Sequence, residues 1–201
     1  MSATAKRPVL LVHGIWDTGA RLGTLRGAIE RRGRTVETID LVPNEGRAPI
    51  RALAKQVAAR VESLRSVSGQ ARIDLVGFSM GALVSRTYIQ REGGRDKVRR
   101  FVSISGPHAG TLDAHALPYE GARDMRPGSP LLTDLASDPD PWGEVEVHVL
   151  YTPFDLMIVP PRSSELRGAH TTTRIPVPLH RLMILAPRAT RAVADLLAED
   201  R

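Results

Sequence analysis

Gly77-Phe78-Ser79-Met80-Gly81 is a G-x-S-x-G pentapeptide that follows a short apolar run and leads into a helical pattern. A strained strand-to-helix turn of this kind lifts the serine hydroxyl out, and side chains at the two glycine positions would collide with neighbouring backbone. Ser79 is therefore the candidate nucleophile; the competing reading is a serine that caps the following helix. A serine hydroxyl attacks a carbonyl at neutral pH only when a base takes its proton. Of the six histidines, His13 belongs to the first loop, His148 sits inside an alternating apolar strand, His108 and His115 lie in a long irregular stretch, and His170 begins a strand. His180 falls between the last strand and the last helix, the position that delivers a base to the carboxyl edge of a sheet. It is the candidate base.

The imidazole needs a carboxylate to hold its tautomer, placed between serine and histidine in chain order. Asp155 follows a strand within a few residues and comes to the same sheet edge. Asp134, Asp138 and Asp140 also fall in the interval, but they precede that strand, where helix caps and turns are the commoner use of aspartate. An oxyanion needs two main-chain donors. Met80 supplies one at the start of its helix, and Ile15, with Trp16 as the fallback, supplies the other from the loop after the first strand.

The elements that must hold these groups alternate. Val9-Leu10-Leu11-Val12 is a buried strand; Leu22, Leu25 and Ile29 mark a helix stopped by Gly33. Residues 35–42 predict a second strand. Pro49 opens a helix marked by Ile50, Leu53, Ala54, Val57, Val61 and Leu64, which Gly69 closes. Residues 73–76, 98–103, 145–150 and 171–177 predict four further strands, with helices over 81–90 and after Pro187. This pattern predicts an α/β fold: a doubly wound, mostly parallel sheet of about six strands with helices on both faces, in one domain over residues 1–201. Ligands of such sheets bind beyond the carboxyl ends of the strands. Residues 105–143, rich in Pro, Gly and Asp, form a long loop insertion that lines or covers the site, with Leu112, Leu117, Leu131 and Leu132 able to make one short helix.

Composition narrows the classes. The 201 residues are 42% hydrophobic and 25% charged, ordinary for a globular domain, and the chain has no cysteine, hence no disulfide framework, thiolate metal site or cysteine nucleophile. The net charge of +6 is carried by arginine, with lysine only at Lys6, Lys55 and Lys97. Those arginines are spread along the chain, and the aromatic residues, only 4%, do not interleave with them. That argues for a solvated basic surface and against nucleic acid. No apolar run approaches the roughly 18 residues of a membrane span. The run after Lys6 and Arg7 is too short for a signal-peptide core, so the expectation is a cytoplasmic protein, or a secreted one if the sequence is a processed form. Histidines and carboxylates form no ligand motif, and neither metal nor cofactor is expected.

Val9 to Ile15, the pentapeptide at Ser79, Ser105-Gly106-Pro107-His108-Ala109-Gly110-Thr111, Tyr151-Thr152-Pro153-Phe154-Asp155 and Leu179-His180 together resemble the α/β-hydrolases, and within them the small bacterial triacylglycerol lipases that lack a large lid. The resemblance covers nearly the whole chain. It implies Ser79, Asp155 and His180 as a triad and Ile15 and Met80 as oxyanion donors, and the sequence departs from it at Phe78, where these lipases carry histidine. The expected activity is serine ester hydrolysis through an acyl-enzyme. A thioesterase or acyltransferase with the same triad, or a hydrolase-fold binding protein without turnover, are the alternatives. His13, Gly14, Trp16, Phe78, Leu156, Met157 and Ile158 are expected to contact an acyl ester or lipid substrate. The protein is expected to be a monomer whose contact with a lipid surface is at most transient.

Overall fold

The computed structural model describes residues 7–198. Six parallel strands, β1 (Val9–Val12), β2 (Val36–Ile39), β3 (Ile73–Phe78), β4 (Val98–Ile104), β5 (Glu146–Tyr151) and β6 (Thr171–Arg174), pair in the order β2-β1-β3-β4-β5-β6. The helices are α1 (Gly23–Glu30), α2 (Ile50–Ser68), α3 (Met80–Arg91), α4 (Glu120–Asp124), α5 (Pro130–Ala136) and α6 (Pro187–Ala198). Successive β1 side chains point to opposite faces. Val9 and Leu11 join Leu25, Ile29, Val193 and Leu197 under α1 and α6, whereas Leu10 and Val12 join Leu53, Val57, Leu83 and Val84 under α2 and α3. Both faces are covered, which is why β3 is buried along its whole length and reads as a continuous apolar run apart from Asp74 and Gly77.

The strand order reverses direction between β1 and β3, so the loops leaving their carboxyl ends diverge and open a crevice there. Ser79 stands in that crevice, on the turn from β3 into α3. The expected strand over 35–42 stops at Ile39 because the next groups bond elsewhere: the Asp40 carboxylate accepts from Gly19 N–H and the Leu41 N–H donates to His13. The last strand, expected over 171–177, ends at Arg174; Pro176 and Pro178 have no N–H to continue the ladder. The two edge strands, β2 and β6, are four residues each, and every side chain of β6 is exposed.

Residues 105–143 differ from the expected irregular loop. They hold a 3-10 turn (Leu112–Ala116), α4 and α5. Ser129 caps α5 by accepting from the Leu132 N–H at 3.2 Å, Pro130 takes the first helical position, and Leu131, Leu132 and Leu135 are buried in the α2–α3 core. Helices of five and seven residues are too short for a 3.6-residue period to stand out among the prolines and glycines. The arginines differ from expectation too. Arg34, Arg86 and Arg100 are buried, and Arg34 pairs with Asp74 at 2.5 Å with both side chains inaccessible to solvent. Among the described residues no helix is long and apolar enough to cross a membrane.

Two glycines set how closely α3 approaches the sheet. A Cβ on Gly81 would lie 2.3 Å from the His13 carbonyl oxygen and 2.5 Å from that of Val12, and one on Gly77 would lie 2.5 Å from the Ala82 Cα. Gly69, by contrast, ends α2 in the left-handed region at φ 67° with no neighbour within 4 Å. Gly81→Ala is expected to lower stability by about 3 kcal/mol or to prevent folding, because backbone rather than a flexible side chain must move. Gly69→Ala should cost only about 1 kcal/mol. Thermal unfolding of the two variants measures the difference, roughly 2–4 °C for each kcal/mol in a domain of this size.

Candidate active site

Ser79 has φ 56° and ψ −126°, a backbone conformation in which a residue with a side chain is strained. It holds the N-cap position of α3, yet its side chain makes no capping hydrogen bond. The helix-cap reading of this serine therefore fails on geometry. Ser79 instead lines a cavity of about 340 Å³ that His180 also lines.

His180 follows β6 and opens a 3-10 turn. Its Nδ1 lies 2.7 Å from Asp155 Oδ2, and its Nε2 is buried without a hydrogen-bond partner among the described residues. The Phe78 ring packs against the imidazole with centroids 4.8 Å apart. Asp155, in the loop after β5, is fixed from its other oxygen: Oδ1 accepts from the N–H groups of Met157 and Ile158, each at 3.0 Å. Burial pushes the Asp155 carboxyl up, but the His180 hydrogen bond and charge, with those two amides, outweigh it and hold the group below the usual carboxylate range. At neutral pH Asp155 is an anion with its free oxygen on the imidazole.

The competing aspartates are occupied elsewhere. Asp134 pairs with Arg51 and Arg91, Asp138 with Arg91 and Arg95, and Asp140 closes a turn by accepting from the Gly143 N–H. The other histidines are likewise engaged away from Ser79. His108 Nε2 bonds the Ser103 hydroxyl, His148 bonds Thr171 and Glu146, His170 accepts from the Val147 N–H, and His115 bonds the Leu112 carbonyl. His13, expected to touch substrate, lines neither cavity beside Ser79: it is buried, its Nε2 accepts from the Leu41 N–H at 2.9 Å, and its Nδ1 donates to the Gly14 carbonyl at 2.8 Å. A buried amide beyond the end of β2 needs an acceptor, and His13 is it.

Of the two amides considered beside Met80, Trp16 N–H donates to the Asn44 carbonyl, which leaves Ile15. Neither the Ile15 N–H nor the Met80 N–H has an acceptor among the described residues. Gly14, Trp16, Phe78, Leu156 and Met157 line the larger cavity, while Ile158 lines a narrower one of about 50 Å³ on the Met80 side, with Leu117 and Met125. Sequence reasoning missed the rim of the larger cavity. Arg181 Nη2 lies 3.1 Å from Asp17 Oδ1 and ties the loop carrying His180 to the loop carrying Ile15. With 163 residues between the partners, nothing local in the sequence signals that pair.

A nucleophile turn on β3, an acid after β5 and a histidine after the last strand are the architecture of the α/β-hydrolase fold. Solved structures agree on the fold. Aspergillus fumigatus lipase B is 16% identical, with a TM-score of 0.81 over 97% of this chain, which spans 53% of that protein's length. A mature Bacillus licheniformis lipase, BlEst2, is 15% identical with a TM-score of 0.80, covering 97% of this chain and 93% of its own. A Paleococcus ferrophilus monoacylglycerol lipase is 19% identical with a TM-score of 0.67, covering 98% and 97%. Residues 8–154 match the palmitoyl protein thioesterase family, and the chain belongs to that family. The matched residues stop just before Asp155, so the joining of Asp155 to His180 rests on the geometry above.

Asp155→Asn is expected to lower kcat on a short p-nitrophenyl ester by about 10³ or more, since an amide can hold the imidazole in the wrong tautomer. Asp138→Asn should leave kcat within about twofold while lowering stability by about 2 kcal/mol, because Arg91 and Arg95 lose their shared carboxylate. Steady-state kinetics with denaturant unfolding on both variants separates the roles. Loss of activity at Asp138 with none at Asp155 would move the acid to the α5–β5 loop.

Proposed function

We propose that the protein hydrolyses carboxylic esters with apolar acyl groups through an acyl-enzyme on Ser79. The observation that carries this reading is the 2.7 Å Asp155–His180 contact, with the opposite imidazole nitrogen unpartnered and His180 and Ser79 lining one cavity. Ser79 Oγ attacks the ester carbonyl carbon while His180 Nε2 takes its proton, and the negative charge that develops on the carbonyl oxygen is met by the amides of Ile15 and Met80. Asp155 stabilises the imidazolium. His180 then returns the proton to the leaving alkoxide, and a water activated by the same nitrogen attacks the acyl carbon and frees Ser79.

The narrow cavity beside Met80 suits a short to medium acyl chain, and the larger one a bulkier group. Trp16 and Leu156, 56% and 72% exposed, stand at the mouth with Met157 and Leu179, an apolar rim suited to an amphiphilic substrate or passing contact with a lipid surface. A thioester is the second reading, favoured by the family match. The same nucleophile and base serve both, and only the leaving group differs.

Ser79→Ala and His180→Ala are each expected to lower kcat by at least about 10³, and the double variant should be little worse than either, because the two groups act as a unit. A fluorophosphonate probe should label Ser79 stoichiometrically in the parent protein and not after His180→Ala. Near-full turnover by Ser79→Ala would sink the reading. Oxygen and thiol esters of one acyl chain, compared by kcat/KM, decide between the two leaving groups.

The second expectation follows from the packing of residues 105–143. With α5 anchored in the core by Leu131, Leu132 and Leu135, this segment is not free to swing as a cover. Hydrolysis rates measured across the solubility limit of a short-chain ester should rise smoothly. A sharp jump at the point where droplets form would show that the segment moves.

A further inference from the structure

On the far side of α3 lies a second kind of cavity, about 230 Å³, that shares no lining residue with the two beside Ser79. Its walls include Leu135, Ala136, Pro141, Trp142 and Leu166, and it holds one buried guanidinium, that of Arg86, which is 5% exposed. Buried arginines are normally paired with a carboxylate. Among the described residues Arg86 has no ion pair. Its Nε donates to Gln90 Oε1 at 2.6 Å and its Nη1 to the His108 carbonyl at 3.0 Å, and the other terminal nitrogen, Nη2, has no acceptor. Gln90 is held in turn through its own amide, which donates to the Leu135 carbonyl. The guanidinium is thus fixed in place before any ligand arrives.

The two carboxylates on the walls make their hydrogen bonds and ion pairs with other groups, and only the longer-range charge of Asp138 acts on Arg86. Asp138 is taken by Arg91 and Arg95, and Glu165 accepts from the Tyr151 hydroxyl at 2.7 Å and from Arg174. Arg167, exposed and donating to the Asp138 carbonyl, adds a second positive charge to the lining. Burial, and then the charge of Arg91, push the Arg86 guanidinium down to about 10 against the opposing charge of Asp138, which leaves it protonated at neutral pH. A buried guanidinium whose Nη2 has no acceptor, beside Leu135, Trp142 and Leu166, suits one negative group and an apolar body on the same small molecule.

We propose that this cavity is a binding site for a short-chain monocarboxylate, with the carboxylate on Arg86 Nη2 and the alkyl chain against Leu135, Trp142 and Leu166. Carboxylates are also what ester hydrolysis releases, so the site would sense product; that link rests on the proposed function, whereas the binding does not. Calorimetric titration of the full chain with acetate and hexanoate tests it. The expected result is one hexanoate per chain, bound at least about tenfold more tightly than acetate. Arg86→Gln should weaken hexanoate by about tenfold or more. Should Arg86→Gln fail to fold, Ala136→Trp, which places an indole at the exposed end of α5 and fills the mouth, should weaken hexanoate as much while ester turnover is unchanged. Hexanoate binding that Ala136→Trp leaves intact would place the ligand in the cavity at Ser79 and overturn the proposal. So would phosphate binding as tightly as hexanoate, or the absence of saturable binding. Loss of ester turnover in the parent protein with hexanoate binding retained would remove the proposed function and leave this site standing.

Discussion

The backbone of α3 lies so close to β1 that no Cβ fits between them at Gly81, whose missing side chain would meet the carbonyl oxygens of Val12 and His13. That approach brings the first turn of α3 against the loop leaving β1. Ser79 is held at positive φ by the turn, and the amides of Met80 and Ile15, one from each element, are left without acceptors in the same place. The strain at Ser79 is sustained by α3, all of whose residues from Met80 to Gln90 are buried, so relaxing the turn would mean unpacking the helix. The strand order supplies the space, since the loops diverge only where the sheet changes direction between β1 and β3.

Charge in the site is arranged around Asp155. One of its oxygens is held by its own loop and the other by His180, so the residue orders the loop after β5 and the imidazole together. The Asp17–Arg181 pair makes a similar connection on the opposite side of the cavity, and His13 joins the ends of β1 and β2. Loops that the chain separates by up to about 160 residues are joined by single polar contacts at the carboxyl edge, while the amino edge is tied by buried arginines such as Arg34 on Asp74.

Much of this was legible in the sequence, and the limits are physical. Strands buried on both faces announce themselves as apolar runs, and α2, with Ile50, Leu53, Val57, Val61 and Leu64 on one side and Gly69 at its end, falls where its periodicity predicts. Chain order and sheet position were enough to predict that Asp155 and His180 reach one sheet edge, where their side chains lie 2.7 Å apart. The turn-type uses expected of Asp134, Asp138 and Asp140 gave way to ion pairs for the first, stood beside ion pairs for the second, whose Oδ1 accepts from the Asp140 N–H, and held for the third. His13 misled because its neighbours in sequence line the cavity while its ring turns inward to a backbone amide 28 positions away. α4 and α5 were hidden because five to seven residues span two turns or fewer. Burial of Arg34, Arg86 and Arg100 could not be read at all, since it depends on partners brought together only by the fold.

The exposed edge strand has a consequence for how such a molecule fails on heating. β6 buries no side chain and pairs on one side only, and His180 follows it after five residues. Elements with few buried contacts open at a lower free energy than the core, so this edge can fray while α2, α3 and β3 remain intact. Ile175 and Val177, buried in the core under α1 and α6, lie between this strand and His180, so the fraying stops short of the histidine. The margin of the sheet is thereby uncoupled from the chemistry: its opening costs no catalytic contact, and the temperature at which the histidine is lost is set by the packed residues on either side of it.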